Sequence, residues 1–205
     1  MNTASLTRTK QFYAKTLQLP VVAETINAIT FGVGRSLLTF HVVADERPFY
    51  HLAFNITNNK FSDSFEWLNE KLDILEAGHG MPIANYPDWN AESFYFLDNN
   101  GNILEFIARF DLPYYSPDPF SIKDIMEISE VGIVTDDVPA TAAALAAKGP
   151  FPYFPKSKQS DHFTVLGDNN GLLIITKTGR GWVPTNKPAR VFPMTIVADG
   201  KRIEL

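Results

Sequence analysis

The sequence predicts an α+β fold built from tandem βαβββ units that form cupped mixed sheets. Two observations predict it. The tetrad Asp-Asn-Asn-Gly occurs at residues 98–101 and again at 168–171, and each copy lies between runs of alternating aromatic and β-branched residues. A strand pattern and a helix pattern precede each copy in the same order. Because a turn of this type between such runs is typical of a β-hairpin, the repeat indicates one supersecondary unit used several times.

The second and third units have the clearest patterns. In the second unit, residues 50–57 predict a strand and residues 60–76 predict an amphipathic helix with apolar side chains at helical spacing. In the third unit, residues 128–135 predict a strand and residues 136–149 predict a helix. Asp137 stands at the start of this helix and a glycine follows its last turn, as helix-capping preferences favour.

The first and fourth units are less complete. Residues 6–17 predict a helix, and three strands are predicted at 21–24, 28–32 and 37–43, so the opening strand of the first unit is short or missing. After residue 177 no helix pattern is present, and an Asp-Gly turn at residues 199–200 predicts a hairpin. The fourth unit is therefore expected to be degenerate.

A proline-rich segment, residues 110–120, interrupts the periodicity between the second and third units. It predicts a division of the chain into two parts. Residues 1–112 would contain the first and second units paired with each other, and residues 120–205 would contain the third unit with the remnant of a fourth.

Composition excludes several functions. The formal charge of −5 and the absence of any Lys/Arg run give no basic surface for nucleic acid. The chain has no cysteine, which excludes disulfides, thiolate nucleophiles and thiolate metal ligands. No apolar run has the length of a membrane span, and the first residues do not form a secretion signal. We therefore expect a cytoplasmic protein with neither a nucleic-acid nor a membrane partner.

Three stretches resemble the vicinal oxygen chelate superfamily, which contains glyoxalase I, extradiol ring-cleaving dioxygenases, fosfomycin-modifying transferases and bleomycin-resistance proteins. They are residues 9–19, Tyr50-His-Leu-Ala-Phe54 and Ser93–Arg109. The last is the most specific, because members of the superfamily carry a similar turn before a strand that ends in a liganding Glu. The resemblance implies a glyoxalase/dioxygenase-like fold, in which paired units surround a divalent metal.

Carried over to this chain, the resemblance implies that His51 and Glu105 are metal ligands. An imidazole and a carboxylate suit Fe, Mn, Ni or Zn. In the first unit, Thr39 stands where a second Glu is expected, and His41 lies two residues further on the same strand face. We expect Thr39, His41, Trp89 and Tyr95 to line the pocket.

The third unit is expected to lack a metal site. Glu130 stands at its His51 position, and Ile175, four residues after the glycine of the second tetrad, stands at its Glu105 position. This half is therefore interpreted as structural or as a pocket wall. Structural explanations also exist for the second unit: His51 could be an ordinary strand histidine, whereas Glu105, among apolar neighbours, needs a metal, an Arg or water as its partner.

Three functions remain open. The first is a metal-dependent enzyme of the glyoxalase or ring-cleaving dioxygenase type, acting on a small aromatic or vicinal-oxygen substrate. The second is a metal-free protein of the bleomycin-resistance type that binds a small molecule. The third is a catalytically degenerate scaffold that forms a homodimer across open sheet edges.

Overall fold

A computed structural model describes residues 1–44, 47–78 and 80–205. His79, which the flanking glycines at positions 78 and 80 predict to lie in a loop, is outside these residues. The first unit contains strand β1 (Asn2–Thr3), helix α1 (Leu6–Lys10) continued by a π-helical segment (Gln11–Thr16), and strands β2 (Val21–Glu24), β3 (Ala28–Val33) and β4 (Ser36–Val42). The Ser5 side chain caps α1 by accepting from the backbone N–H of Arg8. The opening strand β1 is present and short, as the sequence predicts.

The second unit follows the same order. It contains β5 (His51–Ile56), α2 (Phe61–Asn69), β6 (Ile83–Tyr86), β7 (Ala91–Leu97) and β8 (Ile103–Arg109). The helix predicted for residues 60–76 is too long, because the backbone N–H of Leu75 donates to the carbonyl of Tyr95 and draws this segment against β7. In the turn before β8, the Asp98 carboxylate accepts from the backbone N–H groups of Asn100 and Asn102 and from the Tyr13 hydroxyl.

The third unit lacks one strand. It contains β9 (Ile125–Thr135), α3 (Val138–Lys148), β10 (Phe163–Asp168) and β11 (Gly171–Lys177), and Asp137 caps α3 as predicted. Two small ribbons follow, formed by β12 (Gly181–Trp182) with β13 (Lys187–Pro188) and by β14 (Thr195–Ala198) with β15 (Lys201–Glu204). Residues 177–205 contain no helix, which confirms the degenerate fourth unit.

The sheet topology pairs the units differently from the prediction. The first unit forms a four-stranded sheet of its own, in the order β1-β4-β3-β2. The second and third units form one seven-stranded sheet, β10-β11-β9-β5-β8-β7-β6, joined by antiparallel pairing of β5 with β9. The expected pairing of the first unit with the second is therefore wrong, because the edge of β5 is taken by β9. The division into domains at 1–112 and 120–205 stays a prediction.

Two apolar clusters cover the outer side of the seven-stranded sheet. Phe54, Phe94 and Phe106 pack with α2 and with the first unit, where Tyr13 stacks on Phe31 at a centroid distance of 5.2 Å. At the other end, Ile133 and Ile175 pack with α3 and with the hairpin β14–β15. Burying both halves of the outer face orients the opposite face toward a separate interior, where the polar residues collect.

The hairpin between β3 and β4 fixes the first unit against β9. The backbone N–H of Arg35 donates to the carbonyl of Met126, and the backbone N–H of Ile128 donates to the Ser36 hydroxyl. Gly34 has φ +52°, and a Cβ at this position would lie 1.9 Å from the Met126 carbonyl oxygen. No side chain other than hydrogen fits this contact.

We expect Gly34→Ala to destabilise the protein by roughly 3 kcal/mol or more, because the strain of left-handed backbone adds to a backbone clash. Urea unfolding would measure the change. Gly200→Ala is the matched control: Gly200 has φ +73°, but its Cβ would meet nothing within 4 Å. Equal losses in the two variants would contradict a role for the Gly34 contact in docking the first unit.

Candidate metal centre

Three strands bring a histidine and two glutamates to one face of the seven-stranded sheet. Ala53 in β5 lies directly opposite Glu105 in β8 and directly opposite Glu130 in β9. Directly opposite residues, and residues two apart on a strand, point to the same face. His51, Glu105 and Glu130 therefore share the face that we call the cup face.

The three side chains form a compact buried cluster. His51 Nε2 lies 3.6 Å from Glu105 Oε2 and 3.6 Å from Glu130 Oε2. One ligand atom from each residue lies within 4.8 Å of the others, and all three residues are buried. Two carboxylates this close, out of water, need positive charge between them.

Two contacts hold the His51 ring in place, one at Nδ1 and one with the Trp182 ring. Nδ1 lies 3.2 Å from the carbonyl oxygen of Ile103 and donates to it in the neutral ring, which leaves the Nε2 lone pair directed toward the two glutamates. The Trp182 ring packs on the imidazole at a centroid distance of 5.1 Å. It fits there because residue 132 is glycine: a Cβ would lie 2.7 Å from Trp182 Cη2. The ribbon β12–β13 thus covers the histidine.

Arg109, on the same face of β8, adds a fully buried cation to the cluster. Its Nη2 donates to Glu130 Oε1, and its Nε and Nη2 lie 3.4 and 3.5 Å from the Ser129 hydroxyl. The guanidinium also packs against the Trp89 ring, with Cζ 5.5 Å from the ring centroid. Arg109 binds Oε1 of Glu130, while Oε2 faces His51.

The environment shifts the pKa values of the two carboxylates in opposite directions. Burial, and then the charge on Glu130, raises the pKa of Glu105 to about 7. Burial acts in the same direction on Glu130, but interactions with His51 and Arg109 outweigh it and lower the pKa of Glu130. Burial would lower the pKa of His51, but Glu130 and Glu105 outweigh that effect and raise it. In the absence of a metal, the cluster therefore tends to retain a proton near neutral pH.

The third unit, expected to lack a metal site and to be structural or a pocket wall, supplies Glu130 to the buried cluster. Because β5 pairs with β9 rather than with the first unit, the first strand of the third unit supplies the third side chain. Ile175 is not the counterpart of Glu105: it packs on the outer face against α3, and its neighbour Ile174 lies on the cup face. The counterpart position is therefore apolar, as expected, but one residue earlier.

The four residues expected to line the pocket divide into two groups. Tyr95 lies directly opposite Glu105, and its hydroxyl is 2.5 Å from that of Tyr86; Trp89 reaches the cluster through Arg109. Thr39 and His41 instead line a separate open cleft of about 1290 Å³ between β4 and the hairpin β14–β15. Glu130 contributes to the wall of that cleft, whereas neither His51 nor Glu105 is among its described lining residues.

Three residues of the cluster and its surroundings, Arg109, Glu130 and Trp182, were not predicted as site residues. Arg109 carried a signal, because it lies at the same strand parity as Glu105 in an otherwise apolar strand. Glu130 aligns with His51 in the sequence, but the predicted pairing of units places it in a separate half of the chain. Trp182 carried no signal, because it lies in a short ribbon after the last repeat.

The donor set fits a divalent transition metal. Two donors bound to one Zn²⁺-sized ion at about 2.0–2.2 Å lie at most about 4.4 Å apart, so separations of 3.6 Å are compatible with a shared ion. A neutral imidazole and two carboxylates also match the ligands that Fe, Mn, Ni and Zn accept. The free Oε2 of Glu130 remains available, because Arg109 binds Oε1.

Two solved structures share this architecture, and a third aligns with a smaller part of this chain. A Bacillus subtilis protein with a provisional dioxygenase name aligns with a TM-score of 0.63 at 14% identity, covering 85% of this chain and 61% of that one. A glyoxalase I variant from Zea mays aligns with a TM-score of 0.55 at 12% identity, covering 86% and 64%. A glyoxalase/bleomycin resistance protein/dioxygenase from Nocardioides aligns with a TM-score of 0.44 at 19% identity, covering 59% of this chain and 85% of that one.

The chain therefore has a glyoxalase/dioxygenase-like fold, as the sequence predicts. It spans somewhat less than two thirds of the first and second of these proteins. No family model matches the chain, and no curated protein sequence matches it. None of the described helices combines the length and apolar character needed to cross a membrane. The cytoplasmic location stays a prediction.

Proposed function

We propose that His51, Glu105 and Glu130 bind one divalent transition-metal ion, and that the protein is a metal-dependent enzyme acting on a small molecule with vicinal oxygens. The observation that supports this is the convergence of three buried donor atoms from three strands within 4.8 Å. The ion would be Fe, Mn, Ni or Zn. The resemblance implied His51 and Glu105 as ligands; the proposed set adds Glu130 and spans the second and third units.

The residues around the cluster have distinct roles in this proposal. The bound ion would polarise substrate oxygens as a Lewis acid. His51 is held in the correct tautomer by Ile103, and Arg109 fixes the rotamer of Glu130. Trp182 and Tyr95, which are both nearly fully buried, exclude water from the cluster. A dry site strengthens every electrostatic interaction inside it.

The metal content of the protein tests the proposal. We expect about one ion per chain after loading with Fe(II), Mn(II), Ni(II) or Zn(II) and desalting, measured by plasma mass spectrometry on untagged protein. His51→Ala, Glu105→Gln and Glu130→Gln should each reduce retention at least tenfold, because each removes one of three ligands. Circular dichroism would verify that the variants fold.

Glu127→Gln provides the matched control. Glu127 is also a buried glutamate of β9, but its carboxylate pairs with Arg35, Asn55 and Tyr114 outside the cluster. It should retain metal like the wild-type protein. Failure of the wild-type protein to retain any of the four ions would overturn the proposed function.

A second candidate function is metal-free binding of a small molecule. It is favoured by the Arg109–Glu130 pair, because with this pair in place a single proton on Glu105 or His51 makes the cluster electrically neutral without an ion. In this case the cup would bind a ligand without metal, as expected for a protein of the bleomycin-resistance type. The homodimeric scaffold also stays a prediction, which sedimentation would test.

A further inference from the structure

We propose that Arg109 uses its Nη1 group to bind the carboxylate of a small monoanionic substrate whose other oxygen binds the metal, that is, a 2-hydroxy or 2-oxo carboxylate. This inference rests on the proposed metal centre and specifies its substrate class. Three observations carry it: a buried donor without a partner, the charge of the cluster, and the position of Glu130 between His51 and Arg109.

The first observation is the hydrogen bonding of Arg109. The side chain is 0% exposed. Its Nε and Nη2 have partners in Ser129 and Glu130, but its Nη1 is buried and has no hydrogen-bond partner among the described residues. A buried donor left unsatisfied is costly, and the planar guanidinium is suited to carboxylates. An acceptor oxygen supplied by a ligand would remove this cost.

The second observation is the charge count. With a divalent ion bound, a neutral His51, two carboxylates and the Arg109 guanidinium leave a net charge of +1 in a buried site. A net charge is costly to bury, and one negative charge on the ligand cancels it. A neutral diol would leave the excess charge in place, and a dianion would reverse its sign.

The third observation concerns the distance that a ligand needs to span. Glu130 contacts His51 through one carboxylate oxygen and Arg109 through the other. A ligand that reaches both the metal ligands and Arg109 therefore needs to extend past only one carboxylate. A short 2-substituted carboxylate meets this requirement.

Calorimetric titration of the Mn(II)-loaded protein with glycolate and with ethylene glycol tests the inference. The two probes have similar size and both offer vicinal oxygens, but only glycolate carries a charge. We expect glycolate to bind at least tenfold more tightly. Arg109→Lys should weaken glycolate binding at least tenfold while Mn(II) content stays near one per chain, because Lys keeps the charge but lacks the second fork nitrogen.

Arg35→Lys is the control, because Arg35 pairs with Glu127 outside the cluster; its glycolate affinity should equal that of the wild-type protein. Retained Mn(II) with equal binding of the two probes, with no binding of either, or with unchanged glycolate affinity in Arg109→Lys would overturn the inference and leave the metal centre standing. Absence of Mn(II) from the wild-type protein would instead overturn the proposed function. The comparison of probes in wild-type protein requires no variant to fold.

Discussion

The metal-free protein is expected to lose stability as the pH rises from 5.5 to 8, and Glu105→Gln is expected to abolish most of that loss. Burial and the charge of Glu130 raise the pKa of Glu105 from its ordinary value of 4.5 to about 7. Between these two values the folded protein binds a proton that the unfolded chain has released. Stability therefore falls through this window, by about 2 kcal/mol between pH 5.5 and 8.

His51 and Asp98 also contribute to the pH dependence of stability. The raised pKa of His51 acts in the same direction, since protonated His51 stabilises the folded state and that stabilisation is lost as the pH rises. Asp98 also has a raised pKa, caused first by burial, and is equally present in both proteins. The difference between wild type and Glu105→Gln therefore reports the titration of Glu105 together with its coupling to His51 and Glu130.

Urea unfolding at pH 5.5 and 8, after treatment with EDTA, would measure the effect. At pH 8 Glu105→Gln should be the more stable protein, because it removes a buried carboxylate that repels Glu130. A variant with the same pH dependence as the wild type would show that Glu105 is ionised throughout. With metal bound, the wild-type loss should shrink, because the ion replaces the proton.

Much of the fold could be predicted from local patterns. The tetrads 98–101 and 168–171 located two hairpins, and the alternation around them defined the strands. The pairing of units could not be predicted in this way. Which strand occupies the free edge of β5 depends on contacts between distant parts of the chain, and nothing in the sequence of β5 distinguishes β9 from β1 as its neighbour.

The predicted alignment of Ile175 with Glu105 is wrong because of the hairpin turns that precede the two residues. In the third unit the hairpin turn is tight, with Asp168 directly opposite Gly171, whereas in the second unit the last opposite pair is Leu97 and Ile103. The turns differ in length, so equal counting from the glycines ends on opposite faces. A shift of one residue in a strand moves every side chain to the other face.

The sequence predicted the candidate site residues that lie within one unit. It did not predict those that depend on the pairing of two units. His51 and Glu105 lie on neighbouring strands of the second unit, which the repeat already placed together. Glu130 joins them only through the β5–β9 pairing. The ion pair of Arg109 with Glu130 depends on the same pairing. The cluster is thus a property of the interface between units.

Removal of Arg109 is the substitution for which we expect the largest loss of stability. Arg109→Met should destabilise the protein by about 3–5 kcal/mol, because it leaves the Glu130 carboxylate buried beside Glu105 without its cation. Urea unfolding at pH 8 would measure the loss. Arg35→Met is the matched control, because Arg35 pairs with another glutamate of β9: in its ion pair with Glu127 the arginine side chain is 62% exposed, and the expected loss is below about 1 kcal/mol.

The double variant Arg109→Met with Glu130→Gln separates lost pairing from lost packing. If the cost arises from the uncompensated charge, adding Glu130→Gln should recover more than half of it, because a neutral amide is far less costly to bury than a carboxylate. If the double variant is as unstable as Arg109→Met alone, the arginine stabilises the cup through its contact with Trp89 instead. The first result would also mean that the buried pair is costly to interrupt yet replaceable as a whole, so its presence would be explained by the chemistry of the site rather than by the stability of the fold.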